Sequence, residues 1–180
     1  MEKKQLKEAI KREYAKCAQD PVYFLGKYGI IQHPVKGKVN FNLYDFQEKS
    51  LNSFMKNDYN VVLKARQLGL STLTAGYALW MMTFQQDKNI LVIATKQDTA
   101  KNLVTKVRVM HANLPGWLKQ PCVEDNKLSL RYRNGSQVKA VASSEESGRS
   151  EALSLLIIDE AAFIDKIDTI WAASQQTLAT

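Results

Sequence analysis

Apolar residues recur at helical spacing at the start of the chain. They are Leu6, Ile10, Tyr14 and Cys17. Intervals of four, four and three residues place these side chains on one stripe, which predicts an amphipathic helix over residues 2–19. Asp20 and Pro21 follow with the residue types of an N-cap and a first helical position, so a second, short helix is expected to end at Gly29. Residues 33–38 are then predicted to form a loop.

Short apolar runs predict the strands of a sheet. They centre on Val61, Ile90, Val138 and Leu155. The run at 90–94 is apolar at every position, which is typical of a strand covered on both faces in a parallel sheet. A helical pattern that ends at Phe84 and another at 97–113 separate strands, and Asn134-Gly135 is a strong signal for a hairpin at one edge. This alternation predicts an α/β fold with helices on both faces of a mostly parallel sheet.

The stretch 64–72 joins the first predicted strand to a helix and has the composition of a phosphate-binding loop. Such a loop needs backbone N–H groups at a helix N-terminus, a Gly close to the anion and a Ser or Thr hydroxyl for Mg²⁺. In the pattern G-x-x-x-x-G-K-[ST], Gly69 takes the second Gly, Leu70 the Lys and Ser71 the hydroxyl. The expected lysine is absent, and an ordinary strand-to-helix turn with Ser71 as the helix cap is the alternative interpretation.

Two cations elsewhere in this loop offer a replacement for the missing lysine. Lys64 stands at the start of the loop and Arg66 in its middle. Either side chain can fold over toward the phosphates, and the spacing does not choose between them.

An aromatic cluster with a glutamine precedes the loop by one short helix. It consists of Phe41, Tyr44, Phe46 and Gln47. An aromatic face stacks a base, and a glutamine amide offers a donor and an acceptor to the edge of that base, so Gln47 is a candidate for binding adenine. The alternative is an exposed helix glutamine beside core aromatics.

Two adjacent acids end the last predicted strand. Asp159 and Glu160 directly follow the apolar run 153–158. In a chain that also has a phosphate loop, the first acid is expected to hold a hydrated Mg²⁺ together with Ser71, and the second to orient an attacking water. This pairing favours an ATPase.

Charge is unevenly distributed along the 180 residues. The net charge is +7, and residues 1–60, 61–140 and 141–180 carry +4, +8 and −5. A basic middle suits a polyanion such as a nucleotide or DNA, and an acidic end suits metal or catalytic carboxylates. Cys17 and Cys122 are not at metal-binding spacing, and the apolar runs are far shorter than the roughly 20 residues of a membrane span. We therefore expect a single soluble domain of the cytoplasm, without a disulfide or a zinc site.

Several segments together carry a resemblance to a known family. They read DPVYF at 20–24, IQHP at 31–34, LYDFQ at 43–47, ARQLG at 65–69, IATK at 93–96, NGS at 134–136, ASS at 142–144 and IIDEAAFI at 157–164. In this combination the sequence resembles the N-terminal ATPase region of the large terminase subunit of tailed bacteriophages, the motor that drives DNA into the procapsid.

The resemblance implies a fold and a domain organisation. It implies a three-layer α/β P-loop NTPase fold of the RecA-like, ASCE type with a mostly parallel sheet. Residues 1–40 would form an N-terminal helical arm and lid-like segment, and residues 41–180 the ATPase core. Terminases continue into a further strand with a coupling motif, a lid subdomain and a nuclease domain, so this chain is expected to be a fragment that is weakly active alone and lacks nuclease activity.

The resemblance also implies residue roles. Terminases have irregular loops of the form Arg-Gln-x-Gly, and some move the lysine to the start of the loop, which Lys64 fits. The residues implied for nucleotide binding are Gln47, Lys64, Ala65, Arg66, Gln67, Leu68, Gly69, Leu70, Ser71 and Thr72. Ser71 and Asp159 are implied to hold the metal, and Glu160 is implied as the catalytic glutamate. Arg149 is implied as a finger offered to the next subunit, with a surface arginine as the alternative.

Cofactors and partners follow from the same resemblance. They are ATP and Mg²⁺, double-stranded DNA, the portal protein, the small terminase subunit and further copies in a homo-oligomeric ring. The ring is expected to be a pentamer on the procapsid and to dissociate to monomers in solution, in the cytoplasm of the infected bacterial host and without a membrane. One alternative is a helicase of the second superfamily, against which Leu70 and Ala161-Ala162 speak. Another is a binding fragment that does not hydrolyse ATP.

Overall fold

The computed structural model describes residues 2–144 and 152–178. The helices are α1 (Glu2–Gln19), α2 (Pro21–Tyr28), α3 (Asp45–Lys56), α4 (Leu70–Phe84), α5 (Gln97–Ala112) and α6 (Ile167–Gln175). The strands are β1 (Ile30–His33), β2 (Gly37–Asn40), β3 (Asn89–Ala94), β4 (Cys122–Asp125), β5 (Ser129–Tyr132), β6 (Gln137–Ala142) and β7 (Leu155–Ile158). A 3₁₀ turn, Ala161–Phe163, lies between β7 and α6.

The main sheet has the order β4-β5-β6-β3-β7. Strand β3 pairs in parallel with β6 and with β7, whereas β4, β5 and β6 pair antiparallel. The expectation of a mostly parallel sheet is therefore wrong, and the sheet is mixed. The physical reason is that short turns connect β4 to β5 and β5 to β6, and a short turn can join only antiparallel neighbours. The predicted hairpin is confirmed, with Gly135 at φ +84° in its turn.

The strand predicted around Val61 is absent. Residues 59–65 have no regular secondary structure, and the side chains of Val61 and Leu63 are fully exposed, at 100% and 101%. A strand is stabilised by backbone pairing and by packing of its side chains on a neighbouring layer. This segment pairs with no described strand, so its apolar residues do not form one.

Two helices and the α6 segment cover opposite faces of β3. On one face, Val92 belongs to the main hydrophobic cluster together with Leu73 of α4 and Val104 of α5. On the other face, Leu91 and Ile93 cluster with buried residues of the segment 164–170. Alternate residues of a strand point to opposite faces, so the uniformly apolar β3 is the centre of three layers, as its composition predicts.

The C-terminal end of α1 and helix α2 pack on the main hydrophobic cluster. Asp20 Oδ1 accepts hydrogen bonds from the Val22 and Tyr23 amides at 2.8 and 3.1 Å, which confirms the predicted cap of α2. The Trp80 indole donates to the Cys17 carbonyl at 2.9 Å. The apolar stripe of α1 is only partly buried, because Leu6 is 62% exposed.

Three further expectations concern the loop at 33–38, the two cysteines and membrane spans. The loop predicted at 33–38 is largely a hairpin turn, since β1 and β2 pair antiparallel across it. Cys17 is buried and Cys122 is exposed, and both are free thiols. Within residues 2–144 and 152–178, no helix is long and apolar enough to span a membrane.

Candidate functional site

The loop before α4 turns on a left-handed glycine. Gly69 has φ +71° and stands at the N-cap of α4, where no side chain caps the helix. Gln67, two residues earlier, is also left-handed, at φ +63°. The first amides of a helix lack intrahelical partners, so an uncapped N-terminus favours an anion. A left-handed glycine before an uncapped helix N-terminus is one of the features that a phosphate-binding loop needs.

The buried Gln47 side chain links this loop to the start of α3. The side chain is 1% exposed. Its Oε1 accepts a hydrogen bond from the Tyr44 amide at 3.1 Å, and its Nε2 donates to the Leu68 carbonyl at 3.0 Å. The amide therefore ties the start of α3 to the loop, a positioning role that the sequence pattern did not reveal. The adenine-binding role of Gln47 stays a prediction.

Two aromatic rings beside Gln47 form an exposed stack. The Tyr44 and Phe46 rings are 5.7 Å apart with an interplanar angle of 8°. They are 66% and 38% exposed, so they are not core residues. Of the three aromatic residues predicted there, Phe41 alone is buried, at 4% exposure. Exposed ring faces at the start of α3 are suited to stacking a planar ligand.

Ser71 and Asp159 meet although 88 residues separate them in sequence. Ser71 lies in the first turn of α4, and Asp159 directly follows β7. The Ser71 hydroxyl donates to Asp159 Oδ2 at 2.7 Å. Both are hard oxygen donors of the kind that Mg²⁺ prefers, and a Mg²⁺ site completes its shell with phosphate oxygens and water. The two residues predicted to hold the metal therefore fit that ion.

Glu160 is held beside this pair in an unusual backbone conformation. It has φ +56° and ψ +38°, and its amide donates to Asp159 Oδ1 at 3.0 Å. A non-glycine residue in this region is strained by roughly 1 to 3 kcal/mol, and such strain is concentrated at functional sites. Its side chain is exposed, which leaves the carboxylate accessible next to the predicted metal position.

The residue in the place of the missing lysine has a structural role. Leu70 is 6% exposed and belongs to the main hydrophobic cluster. Lys64 and Arg66 are exposed, and neither forms an ion pair with a described residue. Arg149 lies outside the described residues.

The structure thus brings together Gln47, Gly69, Ser71, Asp159 and Glu160. Lys64 and Arg66 stand on the same loop but contact none of these side chains through a hydrogen bond or ion pair. Across the described ranges, His, Cys, Asp and Glu do not form a cluster of three or more. A metal would accordingly be held by Ser71 and Asp159 with oxygens of a ligand, rather than by a closed protein cage.

Comparison with known proteins shows a similar fold in a solved structure and then the family of this chain. The fold is similar to the crystal structure of the HK97 bacteriophage large terminase, with a TM-score of 0.68 and 19% identity over 88% of this chain and 35% of that chain. This chain thus spans about a third of that protein's length. A family model described as "Terminase large subunit, T4likevirus-type, N-terminal" matches residues 61–178. The chain belongs to this family, which confirms the resemblance seen in the sequence.

Proposed function

We propose that this chain is the ATP-hydrolysing part of a motor that packages double-stranded DNA into a phage procapsid. The observation that carries this proposal is the 2.7 Å hydrogen bond from the Ser71 hydroxyl to Asp159, two residues after Gly69 at the start of α4. A helix N-terminus, a hydroxyl and an acid at the end of a buried strand are the parts that P-loop ATPases use. The proposed fold class is accordingly the RecA-like P-loop type, within a mixed sheet.

Each residue of the site has a distinct role in this proposal. The backbone of residues 64–72 holds the phosphates of ATP, and Ser71 and Asp159 hold Mg²⁺, which neutralises phosphate charge when bound. Glu160 orients water for attack on the terminal phosphate. Gln47 and the stacked aromatics Tyr44 and Phe46 are the residues proposed to hold adenine.

Negative charge that develops on the phosphate during hydrolysis is stabilised by cations, and the loop at 64–72 contains two of them. Lys64 and Arg66 are exposed, and either the ammonium or the guanidinium group is proposed to contact the phosphates. Leu70 cannot, because it is buried in the core. Arg149 of a neighbouring copy is the proposed third cation, acting as an arginine finger worth roughly 10³ to 10⁵ in rate.

The partners proposed are those of a packaging motor. They are double-stranded DNA, the portal protein, the small terminase subunit and further copies of the chain in a ring, in the cytoplasm of the infected host. The HK97 protein is about three times as long as the aligned part, so translocation and DNA cutting are proposed for a longer protein than residues 1–180 alone.

Substitution of Glu160 by Gln tests the proposal. In the assembled motor we expect Glu160→Gln to lower ATP turnover at least a hundredfold, since general base and orientation effects contribute about 10² to 10⁴ in rate. ATP binding should be unchanged, because the amide keeps the size of the carboxylate. Asp58→Asn, which changes an exposed acid outside the site, is the matched control. Wild-type turnover in Glu160→Gln would refute the assigned role.

A further inference from the structure

The Gln47 amide is buried, and both of its ends are bonded to the backbone. The side chain is 1% exposed. Its Oε1 accepts a hydrogen bond from the Tyr44 amide, and its Nε2 donates to the Leu68 carbonyl. Gly69 packs against the same group, since a Cβ added to that glycine would lie 2.9 Å from Gln47 Nε2. The amide therefore reaches a ligand only if it gives up its bonds to the backbone.

Recognition of a base by its edge requires a polar side chain that faces the ligand. Adenine offers an N6 amino donor beside the N7 acceptor, whereas guanine offers the two acceptors O6 and N7. An amide that hydrogen-bonds this edge of adenine is left with an unpaired group against guanine, and sites of that kind reject the wrong ligand by orders of magnitude. The position of the Gln47 amide does not suit it for this discrimination.

The exposed rings of Tyr44 and Phe46 offer a base a different kind of contact. The rings are parallel within 8°, and Tyr44 is 66% exposed. The Gln47 amide links the backbone of Tyr44 to the Leu68 carbonyl, so the stacked rings lie next to the loop at 64–72. An aromatic ring stacks on any base, because every base has a π-face. Stacking therefore holds a base without distinguishing adenine from guanine.

We propose that this site takes purine nucleoside triphosphates without discriminating adenine from guanine. The base stacks on Tyr44 and Phe46, and Gln47 is a positioning residue that fixes these rings relative to the loop. This inference rests on the proposed function, because it takes the loop at 64–72 as the phosphate site. It deepens that function by defining the substrate class as ATP and GTP together.

Isothermal titration with non-hydrolysable ATP and GTP analogues in the presence of Mg²⁺ tests the inference. Inorganic tripolyphosphate serves as a third ligand, which has no base. Wild type should bind the two nucleotides with dissociation constants within about tenfold of each other, because stacking tolerates either base.

Variants of the two exposed rings test the stacking contact. Tyr44→Ala/Phe46→Ala should weaken the binding of both nucleotides about fivefold or more, and it should leave the binding of tripolyphosphate unchanged. Tyr44→Phe/Phe46→Tyr keeps both rings and is the matched control, so it should bind all three ligands as wild type does.

Gln47→Ala separates positioning from recognition of the base. It removes the hydrogen bond to the Leu68 carbonyl and should weaken the binding of tripolyphosphate and of both nucleotides, while the ratio of ATP to GTP affinity stays as in wild type. A side chain that served stability alone would leave the affinities of the folded protein unchanged.

Three results would overturn the inference and leave the proposed function standing. They are a preference of wild type for ATP beyond about tenfold, nucleotide binding by Tyr44→Ala/Phe46→Ala at the wild-type level, and unchanged affinities or a changed ATP to GTP ratio in Gln47→Ala. Absence of binding by ATP, GTP and tripolyphosphate alike would refute the proposed function, and the inference would be refuted with it.

Discussion

The substitution Gly69→Ala tests whether the loop before α4 is built as described. Gly69 has φ +71°, a conformation that costs an L-residue about 1 to 2 kcal/mol. A Cβ added there would lie 2.9 Å from Gln47 Nε2, which is closer than such atoms approach. The amide must therefore move, and it is the group that donates to the Leu68 carbonyl.

The expected destabilisation follows from these contacts. The backbone conformation contributes about 1.5 kcal/mol, and loss of the Gln47 hydrogen bond about 1 kcal/mol. Alanine restricts the unfolded chain and returns about 0.5 kcal/mol. We expect Gly69→Ala to lower the free energy of unfolding by about 2 kcal/mol, or the melting temperature by roughly 5 °C in a domain of this size.

Urea denaturation of four variants, Gly69→Ala, Gly26→Ala, Gln47→Ala and Gln47→Ala/Gly69→Ala, separates the two causes. Gly26→Ala is the control, because Gly26 lies inside α2 with no atom within 4 Å of the added Cβ, and it should be neutral or stabilising. In a Gln47→Ala background, Gly69→Ala should cost about 1 kcal/mol less than in wild type, since the displaced amide is gone. A Gly69→Ala protein as stable as wild type, or an equal cost in both backgrounds, would refute the reasoning.

Two further predictions concern groups outside the site. Hydrogen bonds from Lys27, Tyr28 and Tyr23 lower the pKa of Glu13 to about 2 from 4.5. A carboxyl group whose pKa is lowered in the folded state stabilises the fold at pH values above its unfolded pKa. The stability advantage of wild type over Glu13→Gln should therefore be full at neutral pH and disappear between about pH 4.5 and pH 2. A stability difference that is independent of pH would contradict this. The buried Tyr132 hydroxyl has no hydrogen-bond partner among the described residues. Tyr132→Phe keeps the ring on His111 and should raise the free energy of unfolding by about 1 kcal/mol in urea denaturation, and a loss of stability would contradict this.

Short sequence patterns predicted the elements that are stabilised by contacts between residues close together in sequence. The α1 stripe, the Asp20 cap and the Asn134-Gly135 hairpin are encoded by neighbouring residues, and all three are present. The acids after β7 could also be placed, because an apolar run ends directly before them.

Features that depend on distant contacts were not predictable. The apolar run at Val61 reads as a strand, but pairing is a tertiary property, and the segment has no described partner. Leu70 reads as a defect in a phosphate loop, whereas its burial shows that it packs the base of α4. The positioning role of Gln47 depends on a hydrogen bond to a carbonyl 21 residues away, which no periodicity reveals.

The central claim is that Ser71 and Asp159 form a Mg²⁺-dependent nucleotide site. Isothermal titration of the protein with a non-hydrolysable ATP analogue, with and without Mg²⁺, tests it most directly. Wild type should bind more tightly with Mg²⁺, and Asp159→Asn should bind with the same affinity in both conditions. Binding of wild type that ignores Mg²⁺, or a full Mg²⁺ effect in Asp159→Asn, would contradict the account.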